Sequence, residues 1–278
     1  MRQGIMHSDR VPRALMYLFL SVIAAVMIIP FIWMLLLSFK MQTEISQANT
    51  ILPKVWTLRN YIRVFTTVPI LHWFRNSVFV TVTVTTIVLF SSSLVGYVFA
   101  KFEFRFKNIL FWFILATMMV PPQTTMIPSF LLINTLGLYD KLPSLILPGM
   151  VGGFGIFLCR QFIEDIPDSL CEAAIIEGAH PFYIYFRIIV PLIRPAIGAL
   201  TIFTFLLYWN DYMLPLLYLN NVKSMTMSLA ISFFSTQRTT DVGAIMAAAT
   251  LVMLPVAVVF LVFQKQFIKG VAMTGMKS

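Results

Sequence analysis

The stretch EAAIIEGAHPFYIYFRIIVPLIRPA, residues 172–196, gathers Glu172, Glu177, His180 and Arg187 and is punctuated by Gly178, Pro181, Pro191 and Pro195. A carboxylate near the start of a helix can pair with a basic partner, and the methyl side chains of Ala173 and Ala174 let a second surface approach the backbone closely. That is the chemistry of docking rather than of bond-making. For catalysis or metal binding the sequence offers little, since His7, His72 and His180 are far apart and lack neighbouring ligands at metal spacing. It contains no G-x-x-x-x-G-K-[ST] nucleotide loop, no paired catalytic carboxylates and no serine signature, so neither an enzyme nor a metal site is expected.

Two polar groups set in apolar sequence suggest hydrogen bonding to a solute. LLYWNDYMLPLLYL (206–219) holds Asp211, the only acid within an apolar run, beside Trp209, Asn210 and Tyr212. Such a cluster suits hydroxyl-rich compounds. Asp211 falls about 24 Å along its helix at 1.5 Å per residue, near the edge of the hydrocarbon, so interfacial anchoring is the competing reading. VPPQTTMIP (120–128) adds Gln123, Thr124 and Thr125 as hydrogen-bonding groups; a frayed helix end at Pro121 and Pro122 is the alternative.

The elements that must position these residues follow from composition. Of the 278 residues 59% are hydrophobic and 11% charged, and mean hydropathy is +0.87, whereas soluble domains carry about 25% charged residues. The chain is expected to be all-α and integral to a membrane, as a single transmembrane domain over 1–278. Six apolar runs reach the roughly 20 residues that a spanning helix needs: 14–39, 76–100, 108–127, 142–162, 195–219 and 243–264. The first is too long for a cleaved signal and no A-x-A site closes it. The net charge of +9 does not point to nucleic acid, because the lysines and arginines sit in twos and threes at the ends of the apolar runs. With both termini cytoplasmic, twelve of the 20 basic residues fall inside, among them those of the short turn KFEFRFK (101–107). Cys159 and Cys171 are read as free thiols.

Within the segment 163–194, Leu170–Gly178 reads as a short helix with Asp168 and Ser169 as caps and Gly178 as its left-handed stop. Pro181 suits the first turn of a second helix that Pro191 must end or kink. The expected result is a helix-turn-helix on the cytoplasmic surface; a loop resting on lipid headgroups is the bland alternative, disfavoured by the acids of EDIPDS (164–169). Thr81, Thr83, Thr85, Thr86, Ser91, Ser92, Ser93 and Gly96 in the second run suit close helix contact, with pore lining as the alternative. VPPQTTMIP and LPGMVGGFG (147–155) should break the third and fourth runs, and broken backbone at membrane depth belongs inside a bundle.

Glu172, Ala173, Ala174, Gly178 and Ala179, followed by Phe186, Ile188, Pro191, Leu192 and Pro195, resemble the EAA loop of permease subunits of binding-protein-dependent ABC importers; Glu177 stands where an aspartate is usual. NSVFVT, GYVFAKFEF, VPPQTTMIPSFLLINTLGLYDK, YWNDYMLPLL and FQKQFIKGVAMTG are similar to stretches of the smaller, six-span subunit of maltose-type carbohydrate importers. The resemblance implies a type I importer permease fold in a bacterial or archaeal cytoplasmic membrane. The implied partners are a second permease subunit, two ATPase subunits that bind ATP and Mg, an extracytoplasmic solute-binding protein and a carbohydrate solute. It makes Glu172, Ala173, Ala174, Glu177, Gly178 and Ala179 the coupling residues, leaves Gln123, Thr124, Asn210, Asp211 and Tyr212 as solute-pathway candidates, and implies that the tail after Phe267 touches the ATPase pair and that 220–241 faces the binding protein. Glycerol-phosphate, polyol or peptide solutes are the sibling alternatives. An ion-driven carrier is disfavoured because Asp211 is its only available intramembrane acid.

Overall fold

A computed structural model describes residues 10–47, 50–235 and 241–275, with side chains over 15–47, 50–234 and 241–265. Arg2, His7 and the side chains of the tail after Phe267 lie outside the described residues. The helices in chain order are α1 (Arg10–Ser38), α2 (Gln42–Gln47), α3 (Arg59–Thr67), α4 (Ile70–Lys101), α5 (Lys107–Thr117), α6 (Pro122–Thr135), α7 (Pro143–Ile146), α8 (Gly153–Glu164), α9 (Asp168–Ile176), α10 (Pro181–Ile184), α11 (Val190–Leu192), α12 (Arg194–Trp209), α13 (Met213–Tyr218), α14 (Met227–Ser235) and α15 (Val242–Gly275). Among the described residues three stretches are single helices long and apolar enough to cross a membrane, Leu15–Ser38, Ile70–Lys101 and Val242–Lys265; counting each of three bent pairs as one span, the third being Pro181–Leu192 with Arg194–Trp209 at 78°, gives up to six.

Three of the apolar stretches are broken into bent pairs, whereas α1 and α15 run through Pro30 and Pro255 as single helices. The run 108–127 is not one helix: α5 stops at Thr117, and the chain turns by 96° into α6, which continues to Thr135. Pro121 drives Val120 out of helical geometry, and Pro122 then occupies the first turn of α6, where its missing N–H costs nothing. The run 142–162 becomes Pro143–Gly149 and Gly153–Glu164, bent by 43°. The run 195–219 ends as a continuous helix at Trp209, and α13 starts afresh after Asp211.

The contacts fall into two compact units. One comprises the chain up to Val68 with Ile231–Leu251, the other Pro69–Ala230 with the chain from Val252. In the first, Asn60 Nδ2 donates to the carbonyls of Ser38 (2.8 Å) and Lys40 (2.7 Å), satisfying orphan acceptors at the end of α1. Arg63 pairs with Asp241, whose Oδ1 accepts from Ala244 N at the start of α15.

The second unit is built on α4. Its buried residues, Trp73, Ser77, Val80, Thr81, Val84, Thr85, Val88, Ser92, Gly96 and Phe99, recur at three- and four-residue steps and form one stripe. That stripe packs against α8 and α12. The hydroxylated face of α4 is therefore a packing surface, with Thr81, Ser92 and Ser93 buried within it. At Gly96 a Cβ would lie 2.9 Å from the main-chain nitrogen of Arg160 and 2.9 Å from Cys159 Cβ, and a Cβ at Gly155 would overlap Ser92. Glycine is required here by the approach of two backbones.

Gly96→Val should force α4 away from α8 and cost about 1–3 kcal/mol by overpacking. Gly152→Ala, where nothing lies within 4 Å, should be near neutral. Thermal melts of the detergent-solubilised chain carrying each substitution check the difference.

Candidate functional site

α9 owes its sharp ends to local sequence. At its C-terminus Gly178 adopts φ +83, Gly178 N donates to Ile175 O (2.9 Å) and Ala179 N reaches back to Ala174 O (2.9 Å). This pairing closes a helix with a left-handed residue, and Ala174 and Ala179 both pack on the buried cluster beneath. Gly178 thus stands where the sequence places it. The start of α9 differs from expectation. The helix begins at Asp168 with Pro167 in the cap position, where no side chain can accept a hydrogen bond, and the Asp168 carboxylate is engaged elsewhere.

That engagement is with Lys101, the last residue of α4. Its Nζ donates to Asp168 Oδ1 (2.5 Å) and to Ile166 O (2.5 Å). The lysine side chain is only 7% exposed whereas that of Asp168 is 76% exposed, so one buried ammonium joins the end of α4 to the entrance of α9. The hydrogen bond from Lys101, helped by its charge, holds the Asp168 carboxyl below the ordinary carboxylate range. Burial pushes the thiol of Cys171, on the inner face of α9, upward. Cys159 and Cys171 are both unbridged and buried.

The second arm is continuous from Pro181 to Leu192 but widens to a π turn over Tyr185–Ile189, where Val190 N bonds Tyr185 O. Pro191 supplies the cause: it has no N–H for the preceding turn and its ring displaces that turn's carbonyl. His180 Nδ1 accepts from Phe182 N (3.3 Å) and starts the arm. Tyr185 turns inward, its hydroxyl 2.7 Å from Ser93 Oγ on α4. The helix pair is thus mounted on α4 by Lys101 and Tyr185.

Beyond its first turn, which exposes Asp168, Ser169 and Leu170, α9 presents outward Glu172, Ala173, Ile175 and Ile176, with Glu177 just after it; Ile176 is 86% and Ile175 59% exposed. Two exposed isoleucines flanked by two carboxylates make a small apolar face with an acidic rim. Glu172, Ala173, Glu177 and Gly178 are all exposed, while Ala174 and Ala179 are half-buried. The isoleucines escaped the sequence reading because in an apolar chain two more isoleucines carry no signal. Lys101 escaped it because its charge was read only as a sidedness marker.

The solute-pathway candidates divide into two groups. Gln123 and Thr124 stand in the first turn of α6, with Thr124 Oγ1 donating to Pro121 O (2.7 Å) and Thr125 Oγ1 to Pro122 O (2.9 Å). Those hydroxyl protons serve the local turn, leaving the Gln123 amide as the free exposed donor. Asn210 Nδ2 donates to Leu206 O (3.0 Å), and Asp211 Oδ1 accepts from Met213 N (3.1 Å) and Leu214 N (3.2 Å), starting α13. Trp209 is buried, stacked on Phe205 at 5.5 Å, with its Nε1 bonded to Val252 O (2.8 Å), so it belongs to the core and not to a solute surface. α6 and α13 are neighbours through Phe130 and Tyr218, whose rings stack at 6.4 Å, but among the described residues no hydrogen bond joins the two groups.

The same fold occurs in a solved chain of a bacterial ABC transporter involved in the import of the acidic polysaccharide alginate. The TM-score is 0.82 over 94% of this chain and 98% of that one, at 23% identity, a likeness of fold. The chain therefore shares the all-helical fold of that protein. Residues 92–273 match the family described as binding-protein-dependent transport system inner membrane component. The arabinooligosaccharides transport system permease protein AraQ of Bacillus subtilis is 33% identical, covering 95% of this chain and 96% of that one. The diacetylchitobiose uptake system permease protein NgcG of Streptomyces coelicolor is 30% identical, covering 95% and 89%. The lactose transport system permease protein LacG of Rhizobium radiobacter is 32% identical, covering 94% and 95%. The chain belongs to the binding-protein-dependent inner membrane component family, and is a permease subunit of an importer.

Two outcomes follow from the geometry of α9. Gly178→Ala should cost about 1–2 kcal/mol, the penalty for a side chain in left-handed backbone, and should speed amide exchange over 172–177. The Asp168 contact, whose folded pKa is depressed, is complete above the ordinary carboxylate range and fades as pH falls through the lowered value. Protection at 168–171, measured against the intrinsic exchange rate at each pH, should therefore fall only in acid below that range, and Asp168→Asn should remove that fall.

Proposed function

We propose that the chain forms half of the translocation pathway of an ATP-driven sugar or oligosaccharide importer, acting as one permease domain beside a second permease subunit. It performs no hydrolysis itself: two separate ATPase subunits bind ATP and Mg. An extracytoplasmic solute-binding protein delivers the solute. Both termini and the 163–194 segment lie on the cytoplasmic side of a bacterial or archaeal membrane, as the basic turn 101–107 favours.

The observation that carries this reading is the exposed face of α9, a short helix fixed at both ends and offering Glu172, Ala173, Ile176 and Glu177 to a partner. Apolar side chains with a carboxylate rim suit a cleft with an apolar floor and basic edges. Closure of the ATPase pair on ATP displaces α9, and its attachments carry the displacement into the spans. Gln123, Asn210, Asp211 and Tyr212 are the side chains most suited to meet a hydroxylated solute, with Thr124 shaping the turn beside Gln123. The names of the relatives favour a carbohydrate.

Glu172→Lys and Gly178→Pro should leave membrane insertion intact while solute uptake per ATP hydrolysed falls at least tenfold in vesicles carrying the assembled importer. Full transport by both variants counts against the role given to α9. A glycan panel, scored by thermal stabilisation of the cognate binding protein, tests the solute class; stabilisation by a peptide or a phosphodiester but by no glycan rejects it.

A further inference from the structure

α4 is held by side chains at both ends, and the two sets of contacts reach different segments. At its last residue Lys101 Nζ grips Ile166 O and Asp168 Oδ1, and two turns earlier Ser93 Oγ meets Tyr185. At the opposite end Trp73 Nε1 donates to Val222 O (2.5 Å), and Asn76 Nδ2 donates to Lys223 O (2.8 Å) and Met225 O (2.9 Å). Ser77 Oγ accepts from Met227 N (2.8 Å). These partners lie 147 to 150 residues away in sequence. Four main-chain groups of 222–227 are therefore bound to α4, while the amides of Lys223 and Ser224 turn back to Asn221.

A second residue fixes the same loop. Asp140, in left-handed backbone at φ 59, accepts at Oδ1 from Asn220 N (2.9 Å) and Asn221 N (2.8 Å), and its own N–H donates to Tyr218 O (2.8 Å). With the backbone so occupied, Asn220, Asn221 and Lys223 are exposed on a loop that follows α4.

The helix between these ends is built to stay straight. α1 and α15 carry Pro30 and Pro255, whereas α4 has no proline over 32 residues and its one glycine is clamped against α8. From Asn76 to Lys101 it spans about 38 Å at helical rise. We propose that α4 is the rod that carries displacement of α9 to the 220–227 loop, with Lys101 and Asn76 as positioning residues at its two ends. This rests on the reading of α9 as the ATPase-facing helix. It makes the opposite loop respond to nucleotide through one helix rather than through general loosening of the bundle.

The test uses the assembled importer in nanodiscs with Cys159→Ala and Cys171→Ser. A cysteine at Ala173 reports crosslinking to the ATPase, and, separately, a spin label on a cysteine at Asn221 reports the loop. In the parent protein the crosslink forms, and the label's line shape changes on adding Mg and a non-hydrolysable ATP analogue. Lys101→Met should keep the crosslink but reduce the label response at least fivefold, and Lys101→Arg should restore it. Asn76→Leu should leave ATP hydrolysis within twofold while solute moved per ATP falls at least fivefold; it decides the matter if Lys101→Met fails to assemble. Absence of the parent crosslink rejects the ATPase-facing reading of α9. A preserved crosslink with an unchanged label response in Lys101→Met, or unchanged solute per ATP in Asn76→Leu, overturns the rod.

Discussion

The structure depends on how closely α4 and α8 approach. In lipid the hydrophobic effect gives two apolar helices little reason to prefer each other to acyl chains, so association rests on van der Waals fit and on the few polar contacts that fit permits. Gly96 and Gly155 remove the side chains that would keep the backbones apart, and Ser92 fills the space beside Gly155. With that contact made, the exit of α8 lies next to the end of α4, where Lys101 can reach Ile166 and Asp168. α9 inherits its position from this corner.

The energetics of the corner are uneven. Asp168 is exposed, and a partner at the surface adds little stability. Lys101 is buried, and a buried ammonium without its acceptors would carry a substantial penalty. The bond to Ile166 O is thus the structural part of the contact, and the carboxylate mainly sets the angle at which α9 starts. Gly178 and the paired amides at the other end set where it stops. A helix of nine residues would not persist alone in water, so its order comes from these two ends and from Cys171, Ala174 and Ala179 packed beneath it.

The prolines act in a complementary way. They divide apolar runs into bent pairs, and each bend frees backbone groups that must be answered nearby. Thr124, Thr125 and Asp211 answer some of them through their own or adjacent turns. Polar residues set in apolar sequence therefore serve two masters: any contact with a solute must compete with the turn each of them already holds.

The all-helical membrane class, the glycine stop at Gly178 and the breaks near Pro121 and Pro122 were legible in the sequence, because hydropathy, proline sterics and positive φ are local properties. The sequence left open whether Thr81 and Ser92 line a pore or a contact, whether the cluster around Trp209 meets a solute or anchors at the interface, and whether Asp168 caps a helix. Those depended on which segment lies opposite. Only the folded chain brings Lys101 to Asp168 across 67 residues, or Asn76 to Lys223 across 147. A hydrogen bond is specified by the position of its partner in space, and no residue carries that position in its own type or spacing.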